Sequence, residues 1–213
     1  MKITFLKISI AAILVSCLTI IGCKKDAAPQ TPVVLDSSNV SVQYNQSLDL
    51  SNYSTVAVSD SVLSLKDTSA TFELTSADAS YIKAFKDSLS ARGFSVVSLD
   101  AHPSLLLNIT KISATSSGNI DSSSYWNKYA TLYSPLLYGF TDATYTNNFT
   151  TFHPVNTGVL SFELLDLKDV SLLNQISIIW NGQVAEKAMY EDASLTPAVV
   201  GILFNNSPFK RTP

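Results

Sequence analysis

Thr75-Ser76-Ala77-Asp78-Ala79-Ser80-Tyr81-Ile82-Lys83-Ala84-Phe85-Lys86-Asp87-Ser88-Leu89-Ser90-Ala91-Arg92-Gly93-Phe94-Ser95-Val96-Val97 sets the architecture of this chain. Thr75 and Asp78 stand at capping-box spacing, with Asp in place of the usual Glu or Gln. Beyond them Ile82, Phe85 and Leu89 recur at helical intervals, with Tyr81, Ala84 and Ser88 beside them. Gly93 stops the helix at a position where a left-handed residue is easiest for glycine. Phe94, Val96 and Val97 begin a strand at once, and Leu105 to Ile112 makes another. This strand-helix-strand order implies a right-handed crossover and some parallel pairing.

Working outward, Val40, Val42 and Tyr44 alternate with Ser41 and Gln43, the period-two signature of a half-buried strand. Thr55 to Val58 is a second strand, after a turn at Asp49 to Tyr53, and the Ser/Asp-rich stretch from Ser59 to Thr71 reads as a loop. Downstream, Val159 to Leu167 and Gln175 to Glu186 are apolar strands joined by a turn around Asp169 to Asn174. In the second, Ile176, Ile178 and Trp180 are expected on one face and Ser177 and Asn181 on the other. Thr196 as N-cap and Pro197 at the first helical position open a last helix, buried through Val199, Val200, Ile202, Leu203 and Phe204. Gly201 inside it either permits close packing or has no role. The expected fold is α+β: a two-layer sandwich, with a mixed sheet of about six strands and two helices on one face.

The front of the chain gives an address. Met1 to Lys7 is a short basic start, and an apolar run with a few small polar residues extends from Ile8 to Ile21. That run is short for a bilayer core of ~30 Å, which needs roughly 20 helical residues, and it has the layout of a secretory signal. Its end, Ile20-Ile21-Gly22-Cys23, resembles the lipobox of bacterial lipoproteins. That resemblance implies cleavage before Cys23, acylation of Cys23, and a durable membrane anchor. The expected division is a signal peptide over 1–22, a lipidated cysteine and flexible tether over 23–38, and one α/β domain over 39–213. Cys17 would leave with the signal and Cys23 would be consumed by lipid, so the mature domain would hold no free thiol for redox or metal chemistry.

Composition excludes further classes. Formal charge is −3, and −5 once Lys2 and Lys7 are gone, which argues against a nucleic-acid partner. No HExxH, paired histidines, GxSxG, GxGxxG or Walker A motif can be drawn, so no metal or cofactor is implied. His102 and His153 each precede a proline and read as surface-loop residues. Glu163 and Asp166, three apart in a strand, point to opposite faces and cannot share one site without a bulge. Glu163 is therefore expected on the solvent face and Asp166 in a turn.

One segment stands apart. Tyr125, Trp126, Tyr129, Tyr133, Tyr138, Phe140, Tyr145, Phe149 and Phe152 fall in a connection spanning about 116–156, far beyond the usual length of about 4 to 6 residues. Two readings stay open: a lid folded over the open face of the sheet, or a ligand or partner surface formed by Tyr125, Trp126, Tyr129, Tyr133 and Tyr138.

Four blocks carry a family resemblance. Asp49-Leu50-Ser51-Asn52-Tyr53-Ser54-Thr55-Val56 resembles a "D-F-S-x-Y-K-T-Y" segment, and Leu89 to Phe94 an "L-x-x-K-G-F" helix end. Gly158 to Asp166 resembles "G-T-L-x-I-D-L-x-D", and Trp180-Asn181-Gly182 resembles "W-x-G". Together they resemble a family of small bacterial lipoproteins catalogued as domain of unknown function 4136, which has no assigned catalytic residues. Leu50 stands where that family has an aromatic, and Pro103-Ser104 where it often has Ala-Asp. The resulting expectation is an envelope lipoprotein held to the membrane through the lipid on Cys23, on the outer membrane, with the periplasmic and surface faces both open. It would act as a non-enzymatic binding or assembly module with an envelope protein or glycan as partner. The alternative is a glycan- or peptide-binding lipoprotein using the aromatic segment. A hydrolase, which would need Ser, Asp or His groups converging in a pocket, stands third.

Overall fold

The structure, a computed structural model, describes residues 37–44, 48–66, 69–113, 122–147 and 158–209. Residues 1–36, with the expected leader, Cys23 and most of the tether, lie outside the described residues, as do Phe149, Phe152 and His153. The helix that the sequence announces most strongly is α1, Ser76–Ser90. Its capping box forms in both directions: Asp78 N–H donates to the Thr75 hydroxyl, and Thr75 N–H donates to Asp78 Oδ2 at 2.9 Å. Asp78 also holds Lys111 at 2.9 Å, so one buried carboxylate caps the helix and ties it to the sheet. Burial alone would lower the Lys111 pKa, but hydrogen bonds and charge from Asp78 and Glu73 outweigh it and hold the ammonium above its ordinary value. Gly93 closes the helix end with φ of 88°.

The fold is α+β, built on a mixed sheet. In chain order its strands are β1 (Val40–Tyr44), β2 (Thr55–Val58), β3 (Val62–Lys66), β4 (Ser69–Glu73), β5 (Ser95–Val96), β6 (Leu105–Ile112), β7 (Thr144–Asn147), β8 (Val159–Asp166) and β9 (Gln175–Val184). Three long strands form the middle, with β8 antiparallel to β6 on one side and to β9 on the other. Each of those two is flanked by a pair of short strands: β2 and β3 run parallel to β6, while β1 lies antiparallel and β7 parallel to β9. β2 and β5 are parallel across α1, as the crossover requires. Nine strands are described where the pattern suggests about six. The expected loop over 59–71 instead supplies the β3–β4 hairpin, because Val62, Leu63 and Leu65 are buried beside β6.

Alternation along the strands divides the core in two. One face of the sheet meets α1 and α5 (Thr196–Asn205), together with α4 (Lys187–Glu191). Leu105, Leu107 and Ile109 of β6 and Leu160, Phe162 and Leu164 of β8 point there, against Tyr81, Phe85, Leu89, Val199 and Leu203. The opposite face meets α2 (Ser122–Leu132), which sequence alone leaves inside the long connection. A short α3 (Val170–Leu173) joins β8 to β9.

Trp180 departs from expectation. A register shift pairs Leu164 with Trp180 but Leu165 with Ile178, leaving Ile179 as the extra residue of a bulge. Ile176 and Ile178 therefore face α2, whereas Trp180 faces the other helices, and the shared face read from the sequence does not hold. The Trp180 ring lies over Gly182, where an added Cβ would come within 2.5 Å of the indole and 2.9 Å of Leu203. Its indole N–H donates to Ser207 Oγ at 2.7 Å.

Candidate functional site

The bulge changes which residues of β9 face α2. Past it, Asn181 and Gln183 join Ile176 and Ile178 on that side. The strand registers then bring polar side chains into two adjacent rows across four strands. Gln43 of β1 pairs with Asn181, Asn181 with Glu163, and Glu163 with Asn108 of β6. In the neighbouring row Ser41 pairs with Gln183, Gln183 with Ser161, and Ser161 with Thr110. Asn108, Thr110, Ser161, Glu163, Asn181 and Gln183 are all buried. Apolar residues bound the rows on both sides: Leu106, Leu165 and Ile178 toward one end of the sheet, Ile112 and Val159 toward the other.

Glu163 is the charge-bearing group among them and is fully buried, which overturns its expected place on the solvent face. The reason is α2, which covers this face and delivers a hydroxyl to the carboxylate. Tyr125 Oη donates to Glu163 Oε1 at 2.6 Å, Thr110 Oγ1 donates to Oε2 at 3.2 Å, and Ser161 Oγ donates to Oε1. Burial pushes the Glu163 pKa up to about 7, against the lowering effect of these three hydroxyls. Asn181 Nδ2 donates to Ser161 Oγ at 3.0 Å, and Gln183 Nε2 donates to Asn181 Oδ1 at 2.7 Å. Gln183 Oε1 has no hydrogen-bond partner among the described residues. Asp166 is elsewhere, accepting from Tyr53 Oη at 2.6 Å, so the two carboxylates do not share a site.

Tyr125, Tyr129 and Tyr133 recur every fourth residue and so descend one side of α2 and its end. Their ring centroids lie 5.9 and 4.7 Å apart in succession, and Tyr145 meets Tyr129 edge-on at 5.4 Å. These three tyrosines are at most 2% exposed. Of the two open readings, the lid holds for these three: they close the core, because each hydroxyl finds a polar partner on the sheet. Tyr129 Oη accepts from Asn108 Nδ2 at 2.8 Å, and Tyr133 Oη donates to the Ile109 carbonyl at 3.0 Å. Burial first, then the nearby Glu163 charge, hold all three phenols well above their ordinary pKa. Tyr138 is half-buried in a 3₁₀ turn at Pro135–Tyr138, and its oxygen accepts from Asn108 Nδ2 at 2.7 Å. Trp126 belongs to α2, but its side chain lies outside the described residues.

Asn108 thus touches Tyr129 and Tyr138, and its Oδ1 accepts from Ser59 Oγ at 2.9 Å. Ser59 and Tyr138 line a cleft of about 410 Å³ at the carboxyl ends of β2 and β5. Sequence reading misses both rows because each strand, taken alone, looks like ordinary alternation. The available signal is a polar-x-polar triplet in four strands: Ser41-Val42-Gln43, Asn108-Ile109-Thr110, Ser161-Phe162-Glu163 and Asn181-Gly182-Gln183.

Comparison with known proteins bears on fold and family. The model of DUF4136, a domain of unknown function, matches residues 40–209. The chain belongs to the DUF4136 family. A solved DUF4136 family protein from Bacteroides thetaiotaomicron VPI-5482 is similar in fold, with a TM-score of 0.64. That similarity covers 80% of this chain and 95% of the other at 15% identity. No curated protein matches the chain at significance.

The four blocks that carry the DUF4136 resemblance are structural fastenings. Asp49 caps the turn before β2 by accepting from Ser51 N–H, and Tyr53 ties that turn to Asp166 at the end of β8. The Arg92 guanidinium lies 4.2 Å from the centre of the Phe204 ring, beside Gly93. Trp180 covers Gly182. Of the polar rows, the blocks contain only Ser161, Glu163 and Asn181.

Proposed function

We propose that this DUF4136 protein is a lipid-anchored component of the cell envelope, held at the outer membrane by an acylated Cys23, whose folded domain serves as a binding or assembly module. The observation that carries this reading is the sequence Ile20-Ile21-Gly22-Cys23, placed after a basic start and an apolar run too short to span a bilayer. Among the described residues no helix is long and apolar enough to cross a membrane. The anchor would then be the lipid, and several acyl chains hold where one does so only marginally.

Support for a module rather than an enzyme comes from the duties of the reactive groups. Glu163 is engaged by three hydroxyls against the sheet, Asp166 fastens Tyr53, and His102 is exposed at the end of a turn. Radiolabelled palmitate fed to cells expressing wild type or Cys23→Ala tests the anchor. Label in the wild type and none in the variant is expected; equal labelling of the two contradicts it. Proximity cross-linking on intact cells tests the module, and failure to recover any reproducible envelope partner counts against that half of the reading.

A further inference from the structure

We propose that the cleft at the carboxyl ends of β2 and β5 binds a small neutral polyhydroxylated molecule of monosaccharide size. Its volume of about 410 Å³ falls near the lower end of small-molecule sites, which run from about 300 to 1,000 Å³. Two of its lining residues are held in place from behind by one buried amide. Asn108 is 1% exposed, and it fixes both Ser59 and Tyr138 through hydrogen bonds of 2.9 and 2.7 Å.

The direction of those bonds determines what each hydroxyl can offer. Ser59 gives its proton to Asn108 Oδ1 and keeps its lone pairs for a donor in the cleft. Tyr138 accepts from Asn108 Nδ2 and is tied to the Tyr145 hydroxyl within the core, whereas Ser98, which lines the same cleft and makes no side-chain cap hydrogen bond, keeps its proton to donate. A hydroxyl is the group that both donates and accepts, so a polyol matches an adjacent donor and acceptor where a pure anion or a pure cation does not. Val58, Val97 and Leu99 give the same cleft an aliphatic wall for the C–H face of such a molecule.

Charge favours a neutral occupant. Lys86 and Asp60 both line the cleft and are paired with each other at 2.8 Å, so neither sign is left in excess. The proposal stands independently of Cys23: it concerns the folded domain and survives if the anchor reading fails.

Saturation-transfer NMR on the purified full-length protein, with glucose, mannose and N-acetylglucosamine as separate probes, tests it. Transfer from at least one sugar is expected, with affinity on the order of millimolar. Methyl shifts should then move at Val58 and Val97 in the wild type. Ser59→Ala and Ser98→Ala should each weaken binding about fivefold, the loss typical of one hydrogen bond, with the far-ultraviolet circular dichroism spectrum unchanged. No transfer from any of the three sugars overturns the proposal. So does transfer that moves neither methyl group, binding that both variants leave intact, or binding of inorganic phosphate with none of sugar.

Discussion

On the α1/α5 side of the sheet, Phe85 packs on Phe162 at 4.7 Å and on Phe204 at 5.6 Å, and Trp180 lies beneath with its indole N–H satisfied. On the α2 side, across the same strands, tyrosines stack over a carboxylate, three amides and several hydroxyls. Both sides are buried, yet they hold their shape by different physics. The first relies on apolar area and ring packing, whose stabilisation is non-directional and tolerates any pH. The second relies on hydrogen bonds whose worth depends on every partner being in place, and whose central group changes charge near neutrality. The polar rows are confined to one side, next to the cleft held by Asn108.

The largest break in this comparison should come from the apolar side. Trp180→Ala removes a fully buried indole and should destabilise by about 3–5 kcal/mol, read as a fall in the urea midpoint. The cost should be the same at pH 5 and pH 8, since the described partners of that ring, Phe85, Phe209 and Ser207, do not titrate. Tyr125→Phe is the counterpart on the polar side. It keeps the ring and removes the donor to Glu163, and should cost about 2 kcal/mol at pH 8, where the carboxylate is charged. At pH 5, with the carboxyl neutral, the same variant should cost well under half of that. Equal costs at the two pH values would erase the distinction between the sides. The smallest effect has the opposite sign. Gly201→Ala in α5 should stabilise by up to ~1 kcal/mol in thermal unfolding, because nothing lies within 4 Å of the new methyl.

The apolar side was largely legible in the sequence. Thr75, Asp78, Ile82, Phe85, Leu89 and Gly93 announce α1 by local chemistry alone, and the structure places it at Ser76–Ser90. The long strands β6, β8 and β9 follow from their apolar runs. The polar side was not legible, for three physical reasons. Glu163 alternates with Phe162 and Leu164 in the way a solvent-facing residue would, and only the tertiary placement of α2 buries it. The bulge at Ile179 moves Trp180 to the other side and brings Asn181 and Gln183 round to the rows, and nothing local to Ile178-Ile179-Trp180 signals it. The β3–β4 hairpin hides among Ser and Asp because its buried face is only Val62, Leu63 and Leu65. Of the five aromatics named from the sequence, Tyr125, Tyr129 and Tyr133 come together in the core over the polar rows, while Tyr138 is half-buried beside them and lines the cleft.

The pH dependence of stability is where the two sides differ most sharply. Glu163 has a folded pKa raised to about 7 from an ordinary 4.5, so between those values the folded protein binds a proton that the unfolded chain does not. Its contribution is fully favourable below 4.5 and is lost as pH rises through 7, which makes the protein less stable at pH 8 than at pH 5. Urea unfolding of wild type and Glu163→Gln at those two pH values measures this directly. The wild type should lose about 2 kcal/mol on going from pH 5 to pH 8, and the variant should show little or no change. A wild type that is equally stable or more stable at pH 8, or a variant with the same pH dependence as the wild type, would contradict this.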